Sequence, residues 1–84
     1  MKLVLIEWSD ANANDEWTKL RALKEQCGPV PCKSVGWLVS EKNGYKMIVP
    51  HLAGDDRKGY DRHGCGDINI PEGVITKITV LRES

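Results

Sequence analysis

Ser34-Val35-Gly36-Trp37-Leu38-Val39-Ser40-Glu41-Lys42-Asn43-Gly44-Tyr45-Lys46-Met47-Ile48-Val49-Pro50-His51-Leu52 is the stretch that decides the fold. Two runs rich in β-branched and aromatic residues flank Asn43-Gly44, the pair preferred in a two-residue type I′ hairpin turn because both central positions need positive φ. Such a turn sets the register of the strands it joins. Lys42 is then expected opposite Tyr45, Glu41 opposite Lys46, Ser40 opposite Met47, Val39 opposite Ile48, Leu38 opposite Val49 and Trp37 opposite Pro50. In that register Val35, Trp37, Val39, Ile48 and Leu52 share one face, the expected core. Leu38, Met47 and Val49 share the other with Gly36 and Ser40, and this half-apolar face is the expected interface with another molecule.

Working outward, Met1 to Trp8 reads as a strand, with Val4, Ile6 and Trp8 on one face and Leu3 and Leu5 on the other. Ser9 to Asn14 breaks that pattern with turn and cap residues. A helix is expected from Ala13 or Asp15 to Cys27, because Trp17, Leu20, Leu23 and Cys27 recur as one apolar stripe that would dock on the core. Asp15 and Glu16 suit its positive end, and Gly28-Pro29 stops it. Ala53 to Gly66 is long, polar and glycine-rich, the composition of a loop. After it come a strand at Asp67–Ile70, a kink at Pro71 with one tight helical turn, and a strand from Val74 to Leu81. Trp37 is expected in the core and Trp17 at the helix contact. Trp8 is the tryptophan nearest the surface, with burial still the favoured state.

The 84 residues suffice for a single small domain, 1–84. Lys plus Arg and Asp plus Glu number 12 each, for a net charge of zero, which argues against non-specific grip on nucleic acid. The longest apolar run, Leu3 to Ile6, is too short to cross a bilayer, and no signal-peptide pattern opens the chain. A cytoplasmic protein with no membrane role is expected. The 3 cysteines form an odd set in which packed thiols are expected rather than a disulfide framework.

Strand, inserted helix, tight hairpin, long loop and Ile70-Pro71 leading to Ile78 resemble a five-stranded SH3-like or Sm-like barrel, in which a one-turn helix links the last two strands. The resemblance implies a mainly β fold with one helix inserted after the first strand. The chain also resembles small uncharacterised phage and prophage proteins. That likeness rests on Glu7-Trp8, Cys32-Lys33-Ser34-Val35-Gly36-Trp37-Leu38, Pro50-His51 and Gly64-Cys65-Gly66-Asp67 leading into Ile70-Pro71. It implies action in the host cytoplasm, against host defence. Fold likeness alone assigns no activity.

Catalytic and metal chemistry find weak footing. Cys27, Cys32, His63 and Cys65 carry ligand atoms suited to zinc, but no Cys-x-x-Cys pair is present, and no metal or other cofactor is expected. Cys65 between glycines, with His51 or His63 as base and Asp61 or Asp67 behind it, is a triad on paper only, so no enzyme activity is expected. The long loop carries more. Arg57, Tyr60, Arg62 and His63 combine guanidinium groups that grip phosphate, a ring that stacks on a base and a further donor, amid Gly54, Gly59, Gly64 and Gly66. Asp55, Asp56 and Asp61 balance Arg57, Lys58 and Arg62, which suits one defined anionic ligand better than a polyanion. The function expected is therefore a non-catalytic, homo-oligomeric binding protein that sequesters a small nucleotide signal. Its alternatives are a protein-interaction module that inhibits a host enzyme, such as a host defence protein, through the hairpin face, or an Sm-like nucleic-acid-binding ring.

Overall fold

The computed structural model describes residues 1–11, 15–54 and 62–83. The chain is mainly β. Strands β1 (Leu3–Asp10), β2 (Val30–Lys42), β3 (Tyr45–Val49), β4 (His51–Ala53), β5 (His63–Cys65), β6 (Ile68–Pro71) and β7 (Ile75–Val80) are accompanied by helix α1 (Leu20–Glu25) and a 3₁₀ turn at Glu72–Val74. A five-stranded antiparallel sheet has the order β6-β3-β2-β1-β7, and β4 and β5 form a separate two-stranded ribbon. Among the described residues no ladder joins β6 to β7, so no pairing closes this sheet into a barrel. Among the described residues no helix is long and apolar enough to cross a membrane.

Asn43 (φ 57°) and Gly44 (φ 78°) form the turn as the type I′ reading requires. The Lys42–Tyr45, Glu41–Lys46 and Ser40–Met47 pairs follow it as expected. Beyond them the register departs from the sequence reading. Leu38 faces Ile48 and Trp37 faces Val49, with Val39 as an extra residue bulged out of the ladder. A bulge reverses the alternation, so the expected core face is corrected at three positions. Val35 and Val39 are 51 % and 46 % exposed, and Trp37 lies on the side away from the core, its indole N–H donating to the Glu83 carboxylate at 2.9 Å. Leu38, assigned to the other face, packs instead against the core.

That core is small. Val4, Ile6, Ile48 and Ile70 are fully buried, with Trp8, Leu38, Ile68, Val74 and Ile75 packed around them. Each fully buried aliphatic side chain contributes roughly 1.5–3 kcal/mol. Trp8 is half-buried as favoured, and its Nε1–H donates to Ser34 Oγ across the strand pair at 3.1 Å. At the hairpin end of the core Lys46 takes the place of an apolar residue and pairs with both Glu41 and Glu72. Its hydrogen bond with Glu41 raises the ammonium above its ordinary value and lowers the Glu41 carboxyl below its own.

The helix is shorter than expected and does not dock. It spans Leu20–Glu25, buries no residue, and leaves Trp17 fully exposed and Leu20 73 % exposed. Residues 12–14, the end of the stretch expected to supply turn and cap residues, lie outside the described residues, and Lys19 occupies the N-cap with no side-chain bond to the first turn. The thiols are likewise not packed: Cys27 and Cys65 are exposed and Cys32 is half-buried. From Asp67 on, the chain follows the sequence reading closely, with Pro71 ending β6 and the 3₁₀ turn leading into β7.

Candidate ligand-binding site

The segment expected to be one long loop is ordered at both ends. His51 pairs with Cys65, Leu52 with Gly64 and Ala53 with His63. Three-residue strands such as His-Gly-Cys carry no apolar alternation. They pair because β3 delivers His51 and β6 receives Asp67, and those anchors hold both ends of the segment together. The ribbon lies against Val49: a Cβ at Gly64 would stand 3.4 Å from Val49 Cγ1. This cover leaves Val49 only 4 % exposed.

Between ribbon and sheet lies a cavity of about 460 Å³. Met47 and Val49 from β3, Leu52 from β4 and the bulged Val39 supply an apolar lining. Arg62, His63 and Asp67 bring polar groups to the same cavity, and Met1 and Gly64 complete it. The bulge at Val39 places that side chain in the lining, whereas the uninterrupted register would have turned it into the core. Apolar walls with a few polar groups are the usual make-up of a small-molecule site. Arg62 can donate to an anionic oxygen, Asp67 can accept from a ligand N–H or O–H, and Met47 and Leu52 offer a surface for a flat ring, whereas the register of β4 and β5 puts the His63 side chain on the ribbon face opposite Leu52.

The two groups of residues singled out in the sequence meet here in part. Arg62 and His63, expected to bind ligand, line the same space as Met47 and Val49, expected at an interface. Leu38 is not with them, because the bulge turns it inward. Arg57 and Tyr60 lie outside the described residues. Sequence reasoning missed Leu52 and Asp67 as lining residues; the one available signal was that they bracket the polar segment. His51, His63 and Cys65 share one face of the ribbon by the register of β4 and β5. Among the described residues, however, no group of three His, Cys, Asp or Glu is arranged to hold a metal ion.

Comparison with protein-family models, curated proteins and solved structures finds no match to this chain. The physical reading of the cavity therefore carries the functional argument by itself.

Proposed function

We propose that this chain is a non-catalytic binding protein that takes a small anionic ligand of nucleotide type into the cavity beneath the β4–β5 ribbon. The observation that carries the reading is that Arg62 and His63 border the space lined by Met47, Val49 and Leu52. A phosphate requires charge-assisted donors and a base requires apolar surface, and both lie within one cavity of about 460 Å³. The strand order and the 3₁₀ turn before β7 support an open SH3-like or Sm-like arrangement, with the ribbon as an insertion. Sequestration of a nucleotide signal in the host cytoplasm, as an anti-defence device of a phage, is the biological role proposed with it.

Isothermal titration calorimetry of the purified protein against linear and cyclic mono- and dinucleotides tests the reading. Arg62→Ala should weaken binding about ten- to hundredfold, the loss of one charge-assisted hydrogen bond. Failure of every nucleotide to bind the wild-type protein overturns it. A second reading, a module that binds and inhibits a host defence protein, is supported by the exposure of Trp17, just before α1, and of Leu20, its first residue. Loss of anti-defence activity in Trp17→Ala, with Arg62→Ala fully active, would favour that reading over the first.

A further inference from the structure

The two edges of the main sheet are chemically unequal. On β6, Glu72 N–H donates to Gly44 O at 2.9 Å, which starts the ladder Tyr45–Pro71, Lys46–Ile70, Met47–Asn69 and Ile48–Ile68. Bonded and non-bonded pairs alternate in an antiparallel ladder, so Ile68 and Ile70 turn their main-chain groups to β3. Asn69 and Pro71 turn theirs outward, and Pro71 has no N–H to offer. Proline on an outer strand is a common means of blunting an edge.

The other edge has no proline, and Lys77 is its one charged residue. Leu81 N–H donates to Leu3 O at 2.8 Å, in line with the ladder Val4–Val80, Leu5–Thr79, Ile6–Ile78 and Glu7–Lys77. Thr79 and Lys77 therefore bond to β1, and Ile78 and Val80 point N–H and C=O away from the sheet. Among the described residues no other strand pairs with β7. Its sequence, Ile-Thr-Lys-Ile-Thr-Val, contains Lys77 as its single charge and is β-branched at every other position. Ile78 and Val80 are 38 % and 59 % exposed. They also line a cavity of about 410 Å³ together with Val4 and Leu38, so the apolar inner face continues uncovered to this edge.

We propose that β7 is a self-association edge, through which two copies of this chain pair antiparallel about a twofold axis at Thr79 to extend one sheet across both. The outward groups select this register. Ile78 N–H and C=O meet C=O and N–H of the partner's Val80, and the twofold repeats the exchange. Ile78 then lies beside the partner's Val80, an apolar cross-strand pair, and Lys77 lies opposite the partner's Leu81, so no like charges meet. A net charge of zero adds no repulsion between copies. The occupant is a second copy because identical antiparallel strands satisfy each other's free groups, whereas β6 with Pro71 is a poor complement to β7. This inference is independent of the ligand cavity.

Light scattering at micromolar concentration should give twice the 9.4 kDa chain mass. Val80→Lys and Val80→Pro should each reduce it to a single chain with an unchanged far-ultraviolet spectrum, since neither removes a bond to β1. In a background with Cys27, Cys32 and Cys65 replaced by Ser, Thr79→Cys should cross-link to itself on oxidation. Facing residues of a non-bonded antiparallel pair lie about 4.5 Å apart at Cα, within disulfide range. A monomeric wild-type protein, a mass above that of a dimer, or a dimer that persists in Val80→Lys would overturn the proposal. Should both Val80 variants fail to fold, the Thr79→Cys cross-link decides alone.

Discussion

Gly36 and Val49 meet backbone to backbone: a Cβ at position 36 would stand 2.8 Å from the Val49 carbonyl oxygen and 3.0 Å from its carbonyl carbon. Main chain cannot swing aside as a flexible side chain can. Gly36 is thus the point at which the end of β3 closes over β2, and it holds in place the Val49 side chain that lines the cavity beneath the β4–β5 ribbon.

Gly36→Ala is expected to destabilise the protein by about 1–3 kcal/mol, the usual cost of overpacking. Gly73 is the matched control, because a Cβ there meets nothing within 4 Å and its φ is not positive. Gly73→Ala should change stability by no more than about 0.5 kcal/mol. Urea denaturation of both variants measures the contrast.

Gly44→Val should destabilise through the turn instead of through packing. No atom lies within 4 Å of a Cβ at Gly44, but its φ of +78° is one that side-chain-bearing residues rarely adopt. A loss of at least about 1–2 kcal/mol is expected, more for a β-branched residue. The same denaturation experiment checks it.

The Glu41–Lys46 pair predicts a pH dependence with a defined sign. Glu41 is held below its ordinary 4.5 by the Lys46 hydrogen bond and charge, so the native state favours its ionised form. Its contribution is present above pH 4.5 and fades as pH falls through the lowered native value. Lys46, raised above 10.5, contributes below that pH and loses its contribution as pH rises through the raised native value. The melting-temperature gap between wild type and Glu41→Gln should therefore be open at neutral pH and close in acid. Added salt should narrow it, since Glu41 is solvent-facing.

The tryptophans should separate cleanly. Trp17→Ala is expected to leave stability within about 0.5 kcal/mol of wild type, because the ring touches no core. Trp8→Ala should cost up to about 3–5 kcal/mol, since it removes a ring packed against the buried core cluster and its bond to Ser34. Thermal unfolding of the two variants, read by circular dichroism, checks the difference.

Whatever depends on neighbours in the chain was legible in the residues. Asn43-Gly44 announces its turn because a backbone conformation is a property of those two residues. Pro71 announces the end of β6 because it lacks an N–H, and the alternation of Val4, Ile6 and Trp8 announces the buried face of β1. Arg62 and His63 were legible as chemistry, since a guanidinium or imidazole carries its binding capacity wherever it lies. Their companions in the cavity were not, because Leu52 and Asp67 gain that role only when the ribbon folds against β3.

Tertiary structure decided the rest. The bulge at Val39 inserts one extra residue into the β2–β3 ladder, which exchanges the roles of Leu38 and Val39. The stripe of Trp17, Leu20 and Leu23 reads the same whether a helix docks or stands free; here the long β1–β2 ladder carries α1 beyond the core. The β4–β5 ribbon has no signal of its own and forms because pairing of β3 with β6 brings its ends together. Turn conformations are set within a few residues, whereas registers, covered faces and cavities are set by contacts between segments far apart in the chain, which local composition does not encode.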